Sequence, residues 1–168
     1  MDVNARIQNW LETYGGASVS AAEFLCDRHL GRPERAALIY EDGQGNKISL
    51  SYQQLHDRSA ALAGFFRDLG VEKGSRVAGL LPKGVELVLT TLAAWRLGAV
   101  YIPLFTAFGP QGVEYRLGAG EASVIVTDET NRPKLKDIPR DAVPGLNTVT
   151  VTKGYAEMEP GDYSFWTE

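Results

Sequence analysis

The chain contains very little cysteine and histidine, and this excludes several kinds of chemistry. Cys26 is the single cysteine among 168 residues, so the chain can form neither an internal disulfide nor a cysteine-based metal cluster. A lone thiol fits a reducing compartment, and we expect a cytoplasmic protein. The two histidines, His29 and His56, lie far apart on predicted helices. We interpret both as helix-surface imidazoles without partners for metal binding or nucleophilic catalysis.

Excess positive charge and long apolar runs are also missing. The formal net charge is −4 and no cluster of lysine and arginine stands out, which argues against a nucleic-acid partner. The amino terminus lacks the charged-then-apolar pattern of a signal peptide. The apolar run over residues 85–97 is interrupted by Arg96 and is too short to span a bilayer. We therefore expect no transmembrane segment.

Familiar catalytic motifs are absent as well. The sequence has no phosphate loop of the Walker type and no G-x-S-x-G nucleophile elbow. The glycines of the GQGN stretch at residues 43–46 are not followed by a helix start, so we interpret them as a turn. Composition and spacing alone therefore indicate an α/β domain and assign no catalytic residue.

The amino-terminal third predicts two helices and a hairpin. Apolar residues at helical spacing between Val3 and Tyr14 predict a helix that packs one face on the body and ends at Gly15. Ser20 and Glu23 predict a capping box, opening a helix that ends near Leu30. The segments AALIYED and KISLSY then predict two antiparallel strands joined by GQGN.

The middle of the chain alternates between helices and strands. Ser51 and Gln54 form a second predicted capping box, before a helix that ends at Gly70. The segments SRVAGLLP, AVYIPLF and ASVIVTD predict strands, separated by a buried helix and by a short helix running from Pro110 to about Leu117. This order predicts a parallel sheet of the doubly wound type, covered by helices on both faces. Pro103 favours an edge or bulged position for its strand.

The signal weakens after Asp128. NTVTVT is compatible with a further strand, and no clear period follows Lys153. Ligands of open parallel sheets bind at the carboxyl ends of the strands. At those ends the favoured interpretations are structural: Lys83 as a solvated loop charge, Gly109 and Pro110 as a helix start, and Asp128 as a turn cap.

Three segments carry a family resemblance: LSYQQL at residues 50–55, LGVEKGSRVAGLLP at 69–82 and LAAWRLGAVYIPLF at 92–105. They resemble the first sequence blocks of AMP-forming acyl-CoA synthetases and related adenylate-forming enzymes. Their order and spacing are similar to those of the family. The resemblance covers roughly residues 36–128, and it does not discriminate between acyl-CoA synthetases, adenylation domains of peptide synthetases and luciferase-like enzymes.

The resemblance implies an enzyme that activates a carboxylic acid with ATP and Mg²⁺ and passes the acyl group to a thiol, often that of coenzyme A. The family's Ser/Thr/Gly-rich phosphate loop, its later aromatic-Gly-x-Thr-Glu block and its carboxyl-terminal catalytic lysine do not occur in this sequence. We therefore expect an amino-terminal part of such an enzyme. We expect this part alone to carry no catalytic residue or metal ligand, to be inactive, and to bind none of these cofactors tightly.

The resemblance also places five candidate cofactor-binding residues. Thr106 and Ala107 fall where small residues of acetyl-CoA synthetases let the pantetheine arm pass, although neither is glycine here. Arg132, Lys134 and Lys136 fall where such enzymes hold the CoA nucleotide phosphates, and the planar fork of arginine suits a phosphate. The alternative is an ordinary solvated basic loop.

The expected function is thus that of an AMP-forming acid–CoA ligase acting on a small carboxylic acid. Two alternatives remain open: a stand-alone, non-catalytic binding domain of the same fold, and an adenylation domain that loads a carrier protein. We divide the chain into a helical lead-in (1–35), a core α/β unit (36–128) and a weakly patterned tail (129–168). A sheet cut from its neighbours leaves apolar surface, to which Phe165 and Trp166 add, so we expect self-association.

Overall fold

The computed structural model describes residues 2–16, 18–151 and 160–166. The helices are α1 (Val3–Tyr14), α2 (Ala21–Leu25), α3 (Tyr52–Asp68), α4 (Val85–Arg96) and α5 (Pro110–Ala119), with short 3₁₀ helices at Asp27–His29 and Arg132–Leu135. The strands are β1 (Ala36–Glu41), β2 (Lys47–Ser51), β3 (Arg76–Leu80), β4 (Val100–Pro103), β5 (Val124–Asp128), β6 (Asn147–Val151) and β7 (Tyr163–Ser164).

Strands β1 and β2 form the antiparallel hairpin that the sequence predicts. The Asp42 carboxylate closes its turn by accepting hydrogen bonds from the backbone N–H groups of Gln44 at 2.8 Å and Asn46 at 2.9 Å. Helix α3 follows directly, and Ser51 and Gln54 cap its first turn reciprocally. The second predicted capping box is therefore confirmed, and it fixes where the hairpin ends.

The remaining strands form one parallel sheet in the order β4-β3-β5-β6-β7. The edge position of β4 confirms the prediction made from Pro103, because proline cannot donate a hydrogen bond to a second neighbour. The NTVTV stretch forms β6. The two-residue β7 was not predicted, since a strand of that length has no readable period.

Helices cover both faces of the sheet, as a doubly wound fold requires. Val77, Val124 and Val126 face a core shared with α2, α3 and α4. Ala78, Leu80 and Ile125 alternate with them along β3 and β5 and face a second core, which contains Val113 and Leu117 of α5. The side chains on both faces of the central strands are therefore buried, which explains why the sequences of these strands are almost continuously apolar.

Helix α1 departs from its prediction. None of its residues is buried, and Trp10 and Leu11 are 49% and 58% exposed. The Tyr14 ring contacts Phe24 at a centroid distance of 4.9 Å. The predicted packing of an α1 face on the body is therefore wrong, because periodicity identifies an apolar face and not what covers it. In the described residues, no helix combines the length and the apolarity needed to cross a membrane.

Two other helix bounds differ from the prediction. Helix α2 ends at Leu25, and the chain tightens into the 3₁₀ helix Asp27–His29 before Leu30. Helix α5 runs two residues past Leu117.

The part of the unpatterned tail at residues 152–159 lies outside the described residues. Beyond it, Phe165 is buried in the larger core, so the prediction that it adds to the exposed apolar surface is wrong. Trp166 is exposed, as that prediction requires.

Arg96, which interrupts the apolar helix α4, joins three helical segments. Its guanidinium donates to both carboxylate oxygens of Asp27 at 2.6 and 2.7 Å. Its Nε donates to the Ser59 hydroxyl at 2.9 Å, and that hydroxyl donates to the Leu55 carbonyl at 2.6 Å. The Arg96 side chain is only 12% exposed. A charge in an apolar run is thus accommodated by a bidentate partner 69 residues away in sequence.

Candidate functional site

Two loops meet at the carboxyl edge of the parallel sheet. The loop after β4 contains Thr106 and Ala107, and it begins at Leu104, whose N–H donates to the Gly79 carbonyl at 2.9 Å. The loop after β5 begins at Asp128, whose carboxylate accepts from the backbone and side-chain nitrogens of Asn131 at 2.9 and 2.7 Å. Asp128 thus caps its turn, as we interpreted it from sequence, and directs the chain into the 3₁₀ helix Arg132–Leu135.

Lys134 connects the two loops. Its ammonium donates to the Thr106 backbone carbonyl and, at 2.8 Å, to the Asn131 side-chain oxygen. Asn131 is itself buried, so the contact with it is held within the protein. The structure therefore brings Thr106 and Lys134 together, as two of the five predicted residues. It gives Lys134 two protein partners and a role in fixing the loop after β4.

Arg132 forms a nearly buried ion pair. Its Nε donates to Asp162 at 2.6 Å and its Nη2 donates to the other carboxylate oxygen at 2.8 Å. The side chains are 15% and 3% exposed. The pair ties the 3₁₀ helix to the residue preceding β7. A phosphate that bound Arg132 would therefore have to compete with the Asp162 carboxylate for the guanidinium N–H groups.

A cleft of about 450 Å³ lies between this 3₁₀ segment and the β6–β7 edge of the sheet. Its basic lining residues are Arg132, Lys136 and Arg140, and Asp162 and Tyr163 also line it. Lys136 and Arg140 are both exposed. Arg140 was not singled out from sequence, although basic residues recur every fourth position at 132, 136 and 140. Of the remaining predicted residues, Ala107 is exposed in its loop.

A second hollow, of about 590 Å³, lies at the carboxyl ends of β3, β5 and β6. Glu86, Asp128 and Glu129 line it together with Pro82 and Trp166. Its acidic lining disfavours an anion, so the basic cleft is the better candidate for a phosphate-bearing ligand. Across the described ranges, no three His, Cys, Asp or Glu side chains are grouped to hold a metal ion.

Cys26 is not a candidate nucleophile. Burial raises the pKa of its thiol to about 11, with the neighbouring Asp27 charge acting in the same direction. The thiolate is the reactive form of cysteine, and at such a pKa it is scarce near neutral pH. The thiol instead fills space in the larger core.

Comparison with known proteins identifies the family. Residues 27–164 match the family of AMP-binding enzymes. The chain therefore belongs to that family, which agrees with the sequence resemblance and with the parallel-sheet fold. The match includes both loops of the carboxyl edge and the basic cleft.

The relatives found are CoA ligases. An acetyl-coenzyme A synthetase of Gamma-proteobacterium EBAC31A08 is 33% identical over 77% of this chain and 20% of its own length. A 3-hydroxypropionyl-coenzyme A synthetase of Sulfurisphaera tokodaii is 34% identical over 79% of this chain and 21% of its own. The chain thus spans about a fifth of the length of these two curated relatives.

Similar solved structures agree with this family assignment. An acyl-CoA synthetase of Brucella canis superposes with a TM-score of 0.86 at 36% identity, over 95% of this chain and 29% of that one. An acetoacetyl-CoA synthetase of Streptomyces lividans superposes with a TM-score of 0.80 at 26% identity, over 89% and 25%. The hairpin, flanking helices and parallel sheet are therefore those of the acyl-CoA synthetase fold.

Proposed function

We propose that this chain is the amino-terminal part of an AMP-forming acid–CoA ligase of the cytoplasm. The match of residues 27–164 to the AMP-binding enzymes carries the proposal, and the CoA ligases among the relatives support it. In such a reaction a carboxylate oxygen attacks the α-phosphorus of ATP and pyrophosphate leaves. The sulfur of CoA then attacks the acyl carbonyl carbon, and AMP leaves with the bonding electrons.

We propose that the described residues serve the second half-reaction. Thr106 and Ala107 flank the pantetheine arm, while Arg132 and Lys136 contribute to binding the CoA nucleotide phosphates at the basic cleft. Lys134 acts indirectly, since its ammonium binds the Thr106 carbonyl. The positive lining of the cleft favours this assignment, because guanidinium and ammonium groups are the usual protein partners of phosphate.

The test compares Arg132→Ala with Asp162→Asn in the full-length enzyme. Loss of a phosphate contact worth about 1–3 kcal/mol should raise the KM for CoA roughly five- to a hundredfold. Adenylate formation, measured by ATP–pyrophosphate exchange, should change little because it does not use CoA. Asp162→Asn keeps the guanidinium and removes its internal carboxylate, so its KM for CoA should stay the same or fall.

The two variants separate binding from structure. If Arg132 serves only the ion pair, both variants should lose thermal stability and both half-reactions together. Equal damage to adenylate formation and thioester formation would then contradict a phosphate role for Arg132. An unchanged KM for CoA in a stable Arg132→Ala enzyme would contradict it as well.

A further inference from the structure

Three arginines of the segment that precedes β1 line a hollow whose lining residues are all different from those of the basic cleft. Arg28, Arg32 and Arg35 surround about 350 Å³ of space, with His29 and Gly31 completing the lining. All three arginines are exposed. The cluster is not evident in the sequence, because the charges are spread over eight residues and mixed with Asp27 and Glu34. The fold brings them together around one space.

These guanidiniums have no carboxylate partner within the described ranges. No ion pair includes Arg28, Arg32 or Arg35, and the adjacent Asp27 is held by Arg96. Removing the three from the 17 basic residues leaves 14 against 21 acidic residues. The three arginines therefore form a local group of unpaired positive charge on a chain whose remaining residues carry a net negative charge.

Hydrogen bonds hold the backbone around the hollow. The Arg32 N–H donates to the His29 carbonyl at 3.0 Å, and the Arg35 N–H donates to the Arg32 carbonyl at 3.1 Å. The Arg35 carbonyl accepts from the Tyr52 N–H, at the first residue of α3, at 3.0 Å. The hollow thus lies near the amino-terminal end of a 17-residue helix, whose Tyr52 N–H holds the Arg35 backbone in place.

Aromatic rings support two of the lining residues. The His29 ring lies against Tyr52 at a centroid distance of 4.6 Å, and the Arg28 guanidinium lies 5.4 Å from the centre of the Phe24 ring. Stacking of this kind reduces the freedom that a side chain loses on binding. The lining is therefore partly pre-organised for an anion.

We propose that this hollow binds the diphosphate group of a small phosphorylated ligand. A terminal phosphate carries about −1.5 to −2 charge at neutral pH and the inner phosphate of a nucleoside diphosphate carries less, so three guanidiniums are enough to balance one diphosphate group. The guanidinium fork matches the oxygens of a phosphate, and its charge does not titrate near neutral pH. The same chemistry is presented by free pyrophosphate and by a nucleoside diphosphate. The site is separate from the basic cleft and goes beyond the proposed CoA contacts.

The experiment titrates the purified 168-residue chain with inorganic pyrophosphate, following backbone amide shifts by NMR and heat by calorimetry. We expect saturable shifts confined to residues 28–35 and the first turn of α3. Arg32→Gln should weaken pyrophosphate binding roughly tenfold, as should Arg28→Gln. The matched control is Arg67→Gln, which removes an exposed arginine from the last turn of α3 and should leave binding unchanged.

Further titrations distinguish a nucleotide from free diphosphate as the ligand and test whether other anions bind equally well. Tighter binding of ADP than of pyrophosphate would indicate a nucleotide, and equal binding would indicate the free diphosphate. Equal binding of citrate or of an acidic peptide would overturn the diphosphate assignment. Arg140→Gln reports on the basic cleft: if it weakens binding and Arg32→Gln does not, the hollow is not the site. Absence of saturable shifts at residues 28–35 in the folded chain, checked by circular dichroism, would also overturn the proposal.

Discussion

At the scale of the residue, the Asp27–Arg96 pair carries the clearest electrostatic consequence. Hydrogen bonds from Arg96 hold the pKa of Asp27 below its usual range, against the opposing effect of burial. Burial alone would lower the pKa of Arg96, but its hydrogen bonds to Asp27 raise it. Both partners therefore favour their charged forms, and the pair stabilises the junction of α3 and α4 with the preceding 3₁₀ helix.

Replacing Asp27 by Asn should destabilise the fold by about 1–3 kcal/mol, because it leaves the Arg96 guanidinium partly buried without a counter-charge. Urea unfolding followed by circular dichroism measures the change. Asp68→Asn, at the exposed end of α3, is the matched control and should stay within about 0.5 kcal/mol. Equal effects of the two substitutions would show that the pair contributes nothing.

The same pair predicts the direction of the pH dependence. A carboxyl group whose pKa is lower in the folded state contributes its full stability above its unfolded pKa of about 3.9. That contribution is lost as the pH falls from there through the folded pKa. Asp27→Asn should therefore be most destabilising near neutral pH and least destabilising in acid. A destabilisation independent of pH would attribute the effect to packing.

Residue roles at the carboxyl edge were only partly readable from the sequence. The turn-capping role of Asp128 was predicted, because its partner Asn131 is three residues away. The ion pair of Arg132 was not, since Asp162 follows 30 residues later in a tail without a period. The role of Lys134 was missed for a similar reason, because its acceptor is a backbone carbonyl 28 residues away.

At the scale of the element, strand β3 shows how a glycine permits a close approach. A Cβ added to Gly79 would lie 2.2 Å from the Tyr101 hydroxyl oxygen and 2.9 Å from two ring carbons. Gly79→Ala should therefore cost about 1–3 kcal/mol through overpacking, and Tyr101→Val should reduce that cost in a double-mutant cycle.

Gly64→Ala, in helix α3, is the matched control for Gly79→Ala. Its added Cβ meets nothing within 4 Å, so the substitution should stabilise the helix by about 0.5–1 kcal/mol. Thermal unfolding measures both variants. A neutral Gly79→Ala, or an unchanged cost in the Tyr101→Val background, would contradict the overpacking explanation.

The loop after β4 gives a second test at this scale. Lys134→Met keeps an apolar stem of similar length and removes the ammonium that binds the Thr106 carbonyl. Amide hydrogen exchange should become roughly tenfold faster across residues 104–108, because about 1–2 kcal/mol of charge-assisted bonding is lost. Lys136→Met, on the exposed side of the same segment, should leave exchange in that loop unchanged. Equal effects would mean that Lys134 does not hold the loop.

Element types were largely predictable, and the reasons are local. The capping box at Ser51 and the helix cap at Ser20, which accepts from the Glu23 N–H without the reciprocal side-chain bond, depend on residues within a few positions of one another, as do the alternating apolar segments. The environment of α1 depends on what lies opposite its apolar face, and its own sequence carries no such information. The same limit applies to β7, whose pairing with β6 determines that it is a strand at all.

At the scale of the whole molecule, apolar surface remains uncovered. Val100 and Phe105, on and beside the edge strand β4, are 52% and 66% exposed, and the apolar face of α1 adds to this area. An exposed strand edge with apolar neighbours favours association between copies. We expect the 168-residue chain to self-associate with increasing concentration, as measured by light scattering.

A lysine on the edge strand should reduce this association. Val100→Lys adds charge to β4 and opposes edge pairing, whereas Val19→Lys adds the same charge to an exposed loop residue and is the control. A chain that stays monomeric over the whole concentration series would contradict the expectation. Equal effects of both lysines would attribute the change to net charge.

The doubly wound architecture was predictable from the alternation of strands and helices, and it is confirmed. The order of the outer strands was not, because β6 and β7 follow segments without helical or strand periodicity. The division into a lead-in, a core unit and a tail at residues 35 and 128 stays a prediction.

The position of β3 also determines when the sheet can assemble during synthesis. β3 lies between β4 and β5 but precedes both in the chain, so a nascent polypeptide carries it with two bare edges until its neighbours leave the ribosome. Helix α3 is complete by then, and its Leu62 and Phe66 belong to the same core as Val77 of β3. A translational pause between β3 and β5 would prolong the exposure of these apolar strands. Chaperones would then bind the nascent chain at the exposed strands.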